Sequence, residues 1–89
     1  MTSFAHKPLA KNVVFDTENM AVELMDGRKI VVPLAYFPRL LNATPEQQAE
    51  YIVSGGGVGL HWDSIDEDIR VDNLLLGIFD TQSPYYKSA

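Results

Sequence analysis

The chain has no cysteine. That excludes disulfides, cysteine-based zinc sites and thiol nucleophiles, and it fits a reducing compartment. Long apolar runs are missing too. The longest span a few residues, against the roughly 20 needed to cross a bilayer, so no membrane span is expected. The opening MTSFAHKPLAKN holds no continuous apolar stretch, and no signal peptide is read there. A cytoplasmic protein is the expectation.

Basic residues are scarce: seven Lys and Arg stand against twelve Asp and Glu, for a formal charge of −5. The deficit is uneven. Up to Arg39 there are five basic and four acidic residues; beyond it there are two basic and eight acidic. A surface that grips a nucleic-acid backbone needs clustered Lys and Arg, so direct nucleic-acid binding is not expected. An acidic half is compatible with a basic protein partner and equally with plain solubility.

What is present fits a single domain, since 89 residues falls in the one-domain range. A core this small is marginal, and self-association would help it. Residues 1–10, His6 included, read as a flexible lead-in, 11–80 as the domain and 81–89 as a polar tail. Tyr85 and Tyr86 in that tail are either unordered or paired with a second chain. A β-type run covers Lys11–Asp16, and Met20–Val32 reads as a hairpin around Asp26-Gly27. A three-residue loop, Met25-Asp26-Gly27, with Gly27 in the left-handed position, pairs Val22 with Ile30, Met20 with Val32 and Glu23 with Lys29. That register gathers the apolar residues on one face and is preferred over a two-residue loop, which mixes charge and apolar groups on both.

Pro33 should end the second strand. Tyr36 and Phe37 read as core packing, and Pro38 as the start of one helical turn. Thr44-Pro45-Glu46-Gln47 has the form of a capping box with proline at the first helical position. The helix is expected over 45–53, with Ala49, Ile52 and Val53 buried, ended by Ser54-Gly55.

Gly55–Gly77 then reads GGGVGLHWDSIDEDIRVDNLLLG. It holds the one tryptophan, one of the two histidines and five of the acids. The glycines lack the Lys-Ser/Thr of a phosphate loop, and no helix follows as a dinucleotide loop requires. They read as a tight turn into a strand. Val58, Leu60 and Trp62 share one face of that strand, with Gly59 and His61 on the other. Asp63–Asp68 reads as one capped helical turn with Ile65 and Ile69 on its inner side, Arg70 paired with one of its acids, and Ile69–Val71 as a last strand. Asp72 should cap a helix at 73–77 that buries Leu74 and Leu75, with Ile78 and Phe79 packing behind it.

Two chemical readings compete with this structural one. His61 with Asp63, Asp66 and Asp68 offers oxygen and nitrogen ligands to a divalent cation, but the calcium-loop spacing is missing and one histidine is thin for zinc. His61 with Asp66 or Glu67 forms a notional acid–base pair, with no nucleophile elbow, HExxH or lysine motif beside it. Capping and solvated charge are preferred. No catalytic residue, metal ligand or cofactor is assigned.

Asp26-Gly27-Arg28, Pro33-Leu34, Phe37-Pro38-Arg39-Leu40, His61-Trp62 and Asp66-Glu67-Asp68-Ile69, in that order, resemble the prokaryotic family called domain of unknown function 2442. The likeness runs from about Val13 to Gly77; Arg70 stands where serine is common. The resemblance implies a bacterial α+β domain with no assigned activity. It also implies relatives that precede a helix-turn-helix domain or are encoded beside a second small protein, in an arrangement like a toxin–antitoxin pair. No DNA-reading domain is expected within these 89 residues. The marks that carry the resemblance give a candidate functional surface of Arg28, Arg39, His61, Asp66, Glu67 and Asp68. A structural alternative is that an arginine locks the acidic turn to the hairpin.

The expected fold is therefore α+β, a small, mainly antiparallel sheet with one or two short helices packed on it. The expected function is a protein–protein interaction or accessory module, self-associating or antitoxin-like. The alternative is a small-ligand or metal-dependent activity at His61 and the Asp66–Asp68 turn.

Overall fold

Alternation of apolar and polar side chains builds the first half. The structure, a computed structural model, describes residues 7–78. The expectations for His6, for packing by Phe79 and for the tail from Asp80, with Tyr85 and Tyr86, lie outside the described residues. Strands β1 (Ala10–Phe15), β2 (Asn19–Leu24) and β3 (Lys29–Pro33) form one antiparallel sheet in that order. Met20, Val22, Leu24 and Val32 are buried on its inner face. The β2–β3 register is the one expected: Val22 opposite Ile30, Met20 opposite Val32, Glu23 opposite Lys29. Gly27, at φ 95°, closes the three-residue loop. β1 carries a bulge between Ala10 and Asn12, which keeps both Ala10 and Val13 pointing inward.

The chain then makes a short 3₁₀ turn at Leu34–Tyr36 and two small helices, α1 (Pro38–Leu41) and α2 (Pro45–Ala49). Phe37 is buried and Tyr36 packs against the core, as their apolar character suggests. The capping box of α2 is complete. Thr44 Oγ1 accepts from Gln47 N at 3.1 Å, and Gln47 Oε1 accepts from Thr44 N at 3.0 Å.

The expected helix over 45–53 is corrected here. It stops at Ala49, and Ile52–Ser54 is strand β4. Ala49 and Ile52 are exposed and Val53 is half-buried, so no buried helical stripe exists there. β-branched Ile52 and Val53 favour an extended backbone, and pairing with β5 (Gly59–Trp62) outweighs one more helical turn. The glycines are accordingly a hairpin turn rather than a helix end: Gly55, Gly56 and Gly57 all have positive φ.

β5 pairs in turn with β6 (Glu67–Arg70), making a second three-stranded antiparallel sheet, β4-β5-β6. Asp63–Asp66 is the turn between them, not a helical one. The spacing of Ile65 and Ile69 mimics a helical face, yet Ile69 is buried because it lies on the inner side of β6. Helix α3 (Val71–Leu76) begins two residues before the expected start, so Asp72 lies in its first turn instead of capping it. Leu74 is buried, whereas Leu75 and Ile78 are exposed.

The two sheets and the helices share one core. Leu60, Trp62 and Ile69 meet Val13, Met20, Val22, Leu24 and Val32, sealed by Leu34, Phe37, Leu40, Val71 and Leu74. Trp62 is fully buried. Its indole N–H donates to the Gln48 carbonyl at 3.0 Å, which spares the burial of an unpaired donor. Phe15 meets it edge-on, with ring centres 6.4 Å apart. No helix among the described residues is long and apolar enough to cross a membrane.

Candidate functional site

The strand alternation that buries Trp62 turns its neighbour His61 outward. β4, β5 and β6 present two cross-strand rows on that outer face: Ile52–His61–Asp68 and Ser54–Gly59–Arg70. His61 Nδ1 lies 2.6 Å from Asp68 Oδ1, and Nε2 lies 2.5 Å from Asp63 Oδ1 in the following turn. With a carboxylate at each ring nitrogen, the imidazolium has two acceptors for its two N–H groups. These bonds, Asp68's first and Asp63's second, raise the His61 pKa above its ordinary value.

This clamp sets what geometry the side chains offer. The carboxylates sit at opposite ends of the ring and do not converge on one point. Among the described residues no group of three His, Asp or Glu side chains could hold a metal ion. Both ring nitrogens are engaged, so His61 is not poised as a free general base.

Asp66, Glu67 and Asp68 go three ways. Asp66 has φ 53°, a left-handed conformation that costs a non-glycine residue energy. Its carbonyl accepts from Arg39 Nη1 at 2.6 Å. Glu67, cross-strand from Trp62, is buried, with Oε1 3.6 Å from the same Arg39 nitrogen. Asp68 faces solvent beside His61. An arginine does fasten the acidic turn, from helix α1 and not from the β2–β3 hairpin. Arg28 stands apart at the β2–β3 loop, where Nε bonds Asp26 Oδ2 at 2.8 Å. The candidate residues thus form two clusters and one outlier: His61 with Asp68, Arg39 with Asp66 and Glu67, and Arg28. Arg70 pairs with Asp72, through Nε–Oδ1 at 3.1 Å and Nη2–Oδ2 at 2.9 Å, and not with an acid of the turn. That pair holds the Asp72 carboxyl below its usual range.

Two features escape sequence reading. The missing side chain at Gly59 leaves an open cleft of about 340 Å³ among Ser54, Asp68, Arg70 and Asn73. A β-carbon there would come within 2.7 Å of Ser54 Oγ. The readable signal was Gly59 alternating with His61. Tyr51 Oη, in turn, accepts from Val13 N at 3.1 Å and ties the second half of the chain to the edge of β1. Beside that edge runs an open, mostly apolar groove of about 650 Å³, lined by Phe15, Leu41, Pro45 and Tyr51.

Residues 10–80 match the model of a family described as a protein of unknown function, DUF2442, in agreement with the resemblance in the motifs. A crystal structure of a protein of unknown function from Rhodospirillum rubrum is similar at 28% identity and a TM-score of 0.75. The match covers 91% of this chain and all of that one. A solution structure of an uncharacterised protein from Chromobacterium violaceum shares the fold at 22% identity and a TM-score of 0.70. It covers 83% of this chain and 70% of that one. Among curated proteins none matches.

Proposed function

We propose, on the premise that the chain belongs to the DUF2442 family, that it is a cytoplasmic protein–protein interaction module serving an accessory role. One observation carries this reading. The outer face of the first sheet bears an unbroken apolar row, Val14–Ala21–Val31, one residue from each strand. Val14 is 56% exposed and Val31 61%. An antiparallel sheet with one solvated face normally alternates apolar-in with polar-out. A row of apolar side chains outside is the mark of a surface that meets another protein. Asp63, Asp68 and Glu67, by contrast, are engaged by His61 and Arg39 within the second sheet.

The test is site-specific photo-crosslinking in cells of the source lineage. A photoreactive side chain at Val14 should give a discrete crosslinked species, and one at exposed Ser64 in the β5–β6 turn should not. Equal yields at both positions, or none at Val14, would refute the reading.

The cleft floored by Gly59 favours a second reading, a small polar ligand held between Asp68 and Arg70. Isothermal titration with amino acids and small dicarboxylates tests it. A signal lost in Gly59→Ala but kept in Val31→Lys would favour the ligand over the protein partner.

A further inference from the structure

We infer that the partner of this surface is a second copy of the chain, joined through the edge of β3 that is unpaired among the described residues, in a register centred on Val31. The inference rests on the interaction reading above and names its occupant.

The hydrogen-bond alternation fixes which backbone groups are free. Leu24 N donates to Arg28 O at 2.8 Å, and Leu34 N donates to Glu18 O at 2.8 Å. Both contacts belong to the set that pairs 24 with 28, 22 with 30, 20 with 32 and 18 with 34. Every second residue of β3 bonds β2, so Lys29 and Val31 turn both N–H and C=O, and Pro33 its C=O alone, away from the sheet. This edge is five residues long with an exposed valine at its centre.

Two of the other edges, β1 and β6, are obstructed among the described residues. At β1 the Tyr51 hydroxyl takes the outward N–H of Val13. The Gly57 turn also presses against Leu9 and Ala10. At β6 the side chain of Arg39 covers the Asp66 carbonyl, and charged Asp68 and Arg70 guard the rest. β3 has only Lys29 and Pro33 as guards, one at each end.

Those guards suit a two-fold partner. An antiparallel copy with Val31 opposite Val31 of the other chain sets Lys29 opposite Pro33 at both ends. Val31 then exchanges both backbone hydrogen bonds with its counterpart. Each Lys29 N–H faces a Pro33 carbonyl, which also opens the 3₁₀ turn Leu34–Tyr36, and the missing proline N–H falls at the outermost position. The two Lys29 residues lie four positions apart along the seam, about 14 Å, so like charges do not meet. Arg28 of one copy falls opposite Leu34 of the other, two strand spacings (about 10 Å) from that copy's Glu18, which is opposite in sign. The apolar rows join into one, Val14–Ala21–Val31 continued by its mirror. Helix α3 packs against β3, and its Leu75 and Leu76 are exposed.

The absence of cysteine makes the test clean, because one introduced thiol labels one site. Light scattering on the full chain should give twice the chain mass. A spin label at Val14→Cys should report a distance of about 24 Å, five strand spacings across a six-stranded sheet. Val31→Lys sets two charges face to face and should raise the dimer dissociation constant at least ~10-fold. Val31→Pro, which removes the outward N–H and leaves the bonds to β2 in place, should do the same if it folds. A chain that stays monomeric at millimolar concentration would overturn the inference. So would a dimer whose Val14 labels lie in contact, which means pairing through β1. A monomer that still crosslinks at Val14 in cells would leave the interaction reading standing and remove only the self-pairing.

Discussion

Gly57→Ala offers the sharpest test of how the two halves of the molecule fit. Gly57 has φ +116°, where side chains are strained, and an added β-carbon would lie 2.9 Å from both Ala10 N and Leu9 Cβ and 3.0 Å from Ala10 O. Two of those atoms are backbone of the bulged β1 strand and cannot swing aside. Its neighbour is the control. Gly56 has φ +68° and open space where the β-carbon would go. Gly56→Ala therefore costs only the left-handed conformation, about 1–2 kcal/mol. Gly57→Ala adds overpacking, itself about 1–3 kcal/mol, to a backbone penalty of about 1–3 kcal/mol. The variants should differ by at least ~1 kcal/mol. In a domain of this size 1 kcal/mol moves Tm by about 4–8 °C. Thermal and urea unfolding, followed by Trp62 fluorescence and far-ultraviolet circular dichroism, measures the difference. Gly56→Asn, which tolerates the left-handed region, should be nearly neutral. If Gly57→Ala and Gly56→Ala unfold at the same temperature, the close approach of the turn to β1 is not a constraint on the fold.

Two further outcomes follow from the second sheet. The raised His61 pKa means that the folded chain holds that proton more tightly than the unfolded chain does. The stabilisation from the clamp is thus complete below the ordinary value of 6.5 and fades as pH rises through the higher folded value. Imidazole titration by NMR should show this, and Asp63→Asn with Asp68→Asn should return the value toward 6.5; an unshifted wild-type titration would contradict the clamp. Arg39→Met should lower stability by about 1.5–3 kcal/mol through the lost charged hydrogen bond to the Asp66 carbonyl. Glu67→Gln in the same background should recover part of the loss, and a variant as stable as wild type in urea would show that Arg39 does not fasten the turn.

The parts of this structure that were legible in the sequence are those set by neighbours along the chain. Strict alternation in Met20–Leu24 and Lys29–Val32, with Gly27 between, gave the hairpin and its register. Thr44-Pro45-Glu46-Gln47 gave the capping box, and the alternation from Leu60 to Trp62 separated His61 from the core. What stayed hidden depends on partners distant in sequence. Nothing near Tyr51 announces a bond to Val13, 38 residues away, and that contact belongs to the segment misread as helix. The acidic turn was misread because Ile65 and Ile69 satisfy a helical spacing as well as a strand. Only the pairing of Leu60 with Ile69 distinguishes them. The separation of the candidate residues into an outer clamp and an inner anchor required the register of β6.

That register has a consequence for how the chain finds its way home. Glu67 and Asp68 are chemically near-twins, yet one is enclosed beside an indole and the other stands in water. Sliding β6 by a single position would plunge Asp68 into hydrocarbon and strand His61 without its mate, while Arg39 lost its anchor. Adjacent acids thus act as a vernier scale, whose two marks coincide with their counterparts at only one setting of the strand.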